Sequence, residues 1–377
     1  MISYDHPYFK LSTKSLDYIL LIMPTGQLEH LYFGAHLVDQ SYEALHGKLT
    51  AGAGSSIEYE HDGHKTFLDL ATLEYSGIGK GDFRVSPIEI KMPDGAFVSD
   101  FVYRSHQISA DIIESEKLPV AKRNNQPVGS LVINLADRKC AVELKLIYTA
   151  FFESDVITRR AVLTNHDRHG LVIRKIMSMM LDLPESDYDL ITFDGGWIKE
   201  AHKNIRPLSY GTYINDSTTG SSSNRHNPGI ILAKKRTDED YGVCLGFNLV
   251  YSGNHYTAVQ VSNHGLLRVM SGINPHCFEW PLKQNESFET PEAVLTYSDQ
   301  GFNRLSHRFH DFVHAHITPK QFQNADRPVA LNSWEAFYFD FNQGKLKSLA
   351  KKASRLGVEL FVLDDGWFGT RDDDRQA

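Results

Sequence analysis

The sequence predicts a mainly β protein in two parts: a large antiparallel β-sandwich over residues 1–325, then a strand–helix–strand unit of the parallel kind over 326–377. Three observations predict it. From Tyr18 to about Leu295 the chain is a succession of short apolar runs, several alternating apolar and polar residues with period two. At Gly301 that period gives way to a helical one. Beyond Pro319 the runs become continuously apolar, as parallel strands covered on both faces require.

The strands come first. Tyr18-Ile-Leu-Leu-Ile-Met23, Gly129–Leu135, Val142–Tyr148, Gly229–Ala233 and Ala258–Ser262 are among the clearest runs. Turn residues separate them, as in Asn165-His-Asp167 and Asp194-Gly-Gly196. Two stretches read as long ordered loops: Ala44–His64, with Thr50-Ala-Gly-Ala-Gly-Ser-Ser56, and Asp216–Asn227. Loops of that length inside a compact domain tend to serve function.

From Gly301 to Ile317, Phe302, Leu305, Phe309, Phe312 and Val313 recur at helical spacing and predict a linker helix. His307, His310 and His314 lie three and four apart on it, but no carboxylate completes an H-E-x-x-H signature, so no metal is assigned there. After the polar boundary Gln321–Arg327, Pro328–Trp334 predicts a strand and Asn342–Gly357 an amphipathic helix. Leu346, Leu349, Ala350, Ala353 and Leu356 share its apolar face, and Gly357 ends it. Val358–Leu363 predicts the second strand of a βαβ unit.

Composition narrows the function. Of 377 residues, 41% are hydrophobic and 23% charged, as in ordinary globular proteins, and the formal net charge is −8. No basic stripe is present to neutralise phosphates, so no nucleic-acid partner is expected. No apolar window is long enough to span a membrane, and the segment MISYDHPYFKLSTKS lacks the pattern of a secretory signal. Cys140, Cys244 and Cys277 are far apart and odd in number, which suits scattered thiols in a reducing cytoplasm better than disulfides or zinc. A cytoplasmic protein is expected. Aromatic residues make up 11%, which suits either a large β core or a sugar site.

The chemistry gathers where the two late strands end. Trp334-Glu335 follows the first, and Asp364-Asp365-Gly366-Trp367 the second. In a (β/α)₈ barrel the loops after the strands build the active site. Sugar hydroxyls are bound by charged acceptors, and the apolar faces of pyranose rings by flat aromatic groups. Adjacent residues leaving a strand point to different sides. Asp364 and Asp365 therefore cannot readily straddle a glycosidic bond as a catalytic pair would, about 5–5.5 Å apart in retaining enzymes. They suit gripping hydroxyls. A metal role and simple turn capping are the competing readings.

Trp-Glu-Ala-x-Tyr-Phe-Asp-Phe at Trp334–Phe341 and Leu-Phe-Val-Leu-Asp-Asp-Gly-Trp-Phe-Gly at Leu360–Gly369 resemble the opening of the catalytic barrel of bacterial α-galactosidases of glycoside hydrolase family 36. Upstream, Leu31–Gly34, Gly81-Asp-Phe-Arg84, Asp155-Val-Ile-Thr-Arg159, Tyr251-Ser-Gly-Asn254 and Thr290-Pro-Glu-Ala293 are similar to stretches of that family's N-terminal β-supersandwich. The resemblance covers essentially the whole chain. It implies that residues 326–377 are the first βαβ unit of an incomplete (β/α)₈ TIM barrel. It further implies retaining hydrolysis of terminal α-galactosides such as melibiose and raffinose, without a cofactor, by a homotetramer.

Residue by residue, the resemblance implies that Asp364 and Asp365 bind galactose hydroxyls, that Trp334 lines the pocket, and that Trp197 sits on a sandwich loop reaching a sugar site. Asp69 is a looser match to an acidic loop residue, with a plain surface aspartate as the alternative. The family's nucleophile and acid/base motifs are absent from these residues and are expected beyond Ala377. A complete barrel needs about 250 residues. A non-catalytic sandwich module for sugar binding or oligomerisation is the rival reading from another class. Within the family the rival is an α-N-acetylgalactosaminidase.

Overall fold

The computed structural model describes residues 1–377 except 39–40, 48–53, 55, 116, 223, 374 and 376–377. The Thr50–Ser56 stretch of the first expected loop therefore lies mostly outside the described residues. The chain divides into two units, Met1–Ile317 and Thr318–Ala377, and each is taken by itself.

The first unit is a β-sandwich, as the period-two runs predict. Its larger sheet runs in the order His202–Pro207, Asp189–Asp194, His226–Ala233, Cys244–Val250, Glu292–Ser298, Val156–Asn165, Val142–Phe151, Val128–Asp137 and Phe101–Ser109, with Ser287–Glu289 also pairing Val156–Asn165. The facing sheet contains Gly211–Asp216, His255–Val261, Leu267–Ile273, Leu171–Leu183 and Trp280–Leu282, with Ile88–Lys91 on the same long strand. A four-stranded meander, Ile2–Asp5, Tyr8–Ser12, Leu16–Ile22 and Leu28–Ala35, completes it. All these pairings are antiparallel. The inward residues fill one core, including Leu144, Leu146 and Tyr148 from one sheet and Met179, Leu181 and Val269 from the other.

Fully buried charge ties loops to this core. Arg159 reaches Glu74 at 2.6 Å and Tyr18 Oη at 2.8 Å, and Tyr148 donates to Glu74 at 2.7 Å. A second cluster joins Arg268 to Asp182 and Asp82, each at 2.7 Å, and Arg84 to Asp82 at 2.8 Å and Asp182 at 3.0 Å. Burial works against the charge on Glu74 and Asp82. Arg159 beside the first, and Arg268 with Arg84 beside the second, outweigh it and hold both carboxyls below the usual range. The Gly81–Arg84 and Asp155–Arg159 stretches are thus framework, since Asp82, Arg84 and Arg159 all have buried side chains.

Two sequence expectations shift in detail. The Ala44–His64 loop contains a strand, Tyr59–His61, which pairs with His64–Thr66. The helix expected over 301–317 is α-helical over Gly301–Phe312 and closes with a π turn over Val313–Ile317. Its Leu305 and Phe312 are buried against the sandwich, whereas Val313 is 46% exposed. The three histidines do not form a ligand set, and no group of three or more His, Cys, Asp or Glu able to hold a metal occurs among the described residues.

The second unit holds the βαβ element. Ala330–Asn332 and Leu360–Val362 pair in parallel, with Ala330 opposite Leu360 and Asn332 opposite Val362. Helix Gln343–Arg355 connects them. The Asn342 side chain accepts from the backbone N–H of Lys345 and caps its start. Gly357, at φ +87°, follows its end. Leu356 departs from expectation. It is the C-cap residue and 85% exposed, because the helix stops before the face it would have joined.

Candidate carbohydrate-binding site

The second unit's chemistry lies at the carboxyl ends of its two strands. The ladder continues past Asn332: Ser333 N–H donates to Val362 C=O at 2.9 Å, and Asp364 N–H to Ser333 Oγ at 3.3 Å. These bonds bring the two loops side by side. Asn332 then bridges them. Its Nδ2 donates to Asp364 Oδ2 at 2.6 Å, and its Oδ1 accepts from Trp334 N–H at 2.8 Å. Asp364 Oδ1 accepts from Asp365 N–H at 2.9 Å, and Asp365 Oδ2 accepts from Arg371 at 3.0 Å.

The adjacent carboxylates are therefore held by different partners, one by the first strand and one by the following loop. Both are partly exposed. Trp334 begins a short helix, Trp334–Phe337, and its ring is edge-packed by Tyr338 and Phe339 at 5.3 and 4.9 Å between centroids. Gly366, at φ +88°, turns the chain directly after the aspartates. A Cβ there would come within 3.0 Å of the Phe339 ring.

Trp197 belongs to the first unit. It stands at the tip of the hairpin joining Asp189–Asp194 to His202–Pro207 and is 83% exposed. The tip is tightly built. Gly196 and Lys199 exchange backbone hydrogen bonds of 3.2 and 2.9 Å, and Gly195 N–H donates to Arg225 C=O at 2.9 Å. At its base, Asp194 accepts from His226 at 2.7 Å, Thr192 at 2.6 Å and Asn204 at 2.9 Å. Partial burial opposes the charge on Asp194, and these hydrogen bonds outweigh it, holding its carboxyl below the usual range.

Asp69 is not a surface residue. It is 3% exposed in the short helix Leu68–Leu70, accepts from Phe83 N–H at 3.1 Å and lies 3.4 Å from His264. Its observed work is to position the Gly81–Arg84 turn.

Sequence reasoning missed Asn332, Arg371 and Asp194. Asn332 could have been found as the last polar residue of its strand, one position short of the aspartate-bearing loop in the paired register. Arg371 sits in a run of charges whose pairing no spacing rule fixes.

Known proteins share both parts of this chain. Residues 26–283 match the family model described as the glycosyl hydrolase family 36 N-terminal domain, and residues 287–377 match the one described as melibiase. The α-galactosidase Mel36A of Lactobacillus acidophilus is 35% identical over 381 residues, covering 100% of this chain and 52% of its own length. The crystal structure of the Lactobacillus brevis α-galactosidase superposes with a TM-score of 0.94 at 36% identity, over 97% of this chain and 49% of that one. A Geobacillus stearothermophilus AgaA variant solved in complex with raffinose gives 0.92 at 36% identity, over 97% and 51%. The chain thus spans about half the length of the relatives it matches, and it belongs to glycosyl hydrolase family 36.

Proposed function

We propose that this chain supplies the sugar-gripping part of an α-galactosidase that removes terminal non-reducing α-galactose, as from melibiose and raffinose-type α-1,6-galactosides, with retention. Asp364, Asp365 and Trp334 bind the galactose ring, and Trp197 adds an aromatic contact from its hairpin. Asp69 is assigned no sugar contact, because its side chain is buried under the Phe83 turn. The nucleophile that attacks C1 and the acid that protonates the leaving oxygen come from barrel strands outside these 377 residues.

The observation that carries the reading is the Asn332-bridged pairing of Asp364 with the Trp334 loop at the ends of two parallel strands. The AgaA variant whose crystal structure resembles this chain was solved in complex with raffinose. A cytoplasmic setting suits three free cysteines. A tetramer would give the exposed Trp197 hairpin a neighbouring pocket to enter.

Two assays test it. The 377-residue chain should show no turnover of p-nitrophenyl-α-galactoside. In a polypeptide of the relatives' length, Asp364→Ala and Asp365→Ala should each lower kcat/KM by about 10²-fold or more, because each removes a charged hydrogen-bond acceptor. Turnover by the 377-residue chain, or full activity of either variant, overturns the assignment.

A further inference from the structure

We propose that the first unit carries a second carbohydrate site, separate from the Asp364 pair, which binds a neutral hexopyranose on the face of Trp280. It goes beyond the galactose-gripping role and does not depend on it.

The site is a cavity of about 520 Å³ at one end of the sandwich. That is within the usual size for small-molecule pockets, roughly 300–1,000 Å³. The turn between strands Leu267–Ile273 and Trp280–Leu282 forms one wall. Phe288, 8% exposed, is the buried anchor. The Trp280 ring meets it edge-on at 5.3 Å and the Phe278 ring at 5.8 Å. Trp280, in register opposite Ile173, is held as a platform yet stays 49% exposed. A rigid, half-open indole is what the apolar face of a pyranose ring stacks on.

Hydrogen bonds hold the side-chain amides around it in place. Asn274 donates to Asp216 and to Ser217 C=O, each at 2.9 Å, and accepts from His276 N–H at 2.9 Å. Asn254 Oδ1 accepts from Gly220 N–H at 2.7 Å, which sets the direction of its amide N–H groups. Among the described residues those N–H groups, the Trp280 indole N–H and the His276 ring have no hydrogen-bond partner, so hydroxyls can take them.

The two charged residues at the rim are of opposite sign, and each is engaged. Lys117 donates to Ser287 C=O at 3.3 Å, while Glu289 pairs with Arg160 and accepts from Ser115 at 2.7 Å. A charged ligand would find no free counter-charge there. An aromatic face beside amide and indole donors, with its rim charges already engaged, selects a sugar ring over an anion or a purely apolar molecule.

Cys277 lies in the same wall and makes the proposal measurable. It is the exposed cysteine of the three. Burial pushes the Cys244 thiol up to about 12, and burial with Asp137 nearby raises that of Cys140. Iodoacetamide therefore reads Cys277 first. With raffinose as the probe, its alkylation, followed by peptide mass spectrometry, should slow at least about threefold. The half-effect should fall in the millimolar range expected of one stacked ring.

Trp280→Ala should abolish the protection, and Asn254→Ala, which leaves the aromatic wall intact, should weaken it. Asp364→Ala should leave it unchanged, which separates this site from the galactose-gripping pair. The proposal falls if raffinose protects nothing, if protection survives Trp280→Ala, if it disappears with Asp364→Ala, or if Cys277 is unreactive from the outset because another surface covers it.

Discussion

Glu74 and Arg159 show at the residue scale what this fold requires of single side chains. Both are fully buried, and each satisfies the other's charge with help from Tyr18 and Tyr148. Removing one partner leaves an uncompensated charge in the core. Arg159→Met should therefore lower stability by about 3–5 kcal/mol, and Glu74→Gln by a similar amount. The double variant should lose less than the sum of the two, a coupling read by denaturant melts of all four proteins. The sign with pH follows from the lowered Glu74 carboxyl. Its stabilisation is complete above the ordinary glutamate range and is lost as pH falls through the depressed folded value. Below about pH 4.5 the wild-type curve should fall steeply, while that of Glu74→Gln should be flatter. None of this pairing was legible in the sequence. Glu74 and Arg159 stand 85 positions apart, and only the sheet and the loop before it bring them together.

The Trp197 hairpin is the element on which the proposed aromatic contact depends. Gly195 is needed there for space. A Cβ at that position would lie 1.7 Å from the Lys199 carbonyl oxygen. Gly195→Ala should open the tip without unfolding the sandwich. Amide exchange at Gly196 and Lys199 should rise about tenfold or more while the core strands keep their protection, a comparison that hydrogen-exchange NMR or mass spectrometry makes directly. Unchanged exchange at those two amides would show that the tip tolerates the methyl. The Gly-Gly pair before a tryptophan made this tip readable in advance. So did the alternation that marks Val142–Phe151, where inward and outward residues are set by a period of two. Helix Gln343–Arg355 is readable from its spacing, but the same spacing places Leu356 on its apolar face, because periodicity carries no signal for the turn at which a helix stops. Asp69 misled for another reason: a short acidic residue in a loop looks exposed unless the backbone N–H it accepts from is known.

At the scale of the whole molecule the two units differ in how much they bury. The first has a continuous apolar core drawn from both sheets, and its closing helix is bound in through buried Leu305, Phe312 and Arg308. The second has, among the described residues, two strands of three residues and three helices, the longest Gln343–Arg355, and Ala353 and Ser333 alone are buried. Val329, Leu360 and Trp367 are 59%, 46% and 63% exposed. Apolar surface of that kind, beside unpaired strand edges, contributes little stability. Brief trypsin treatment should therefore cut first at Lys320 or the lysines of helix Gln343–Arg355, leaving a resistant fragment that begins at residue 1. Residues 1–325 made alone should melt at the same temperature as the main transition of the chain, and they should be more soluble. Early cleavage within the sandwich, or a lower melting temperature for the shorter chain, would show that residues 326–377 stabilise the first unit rather than depend on strands that pair with them.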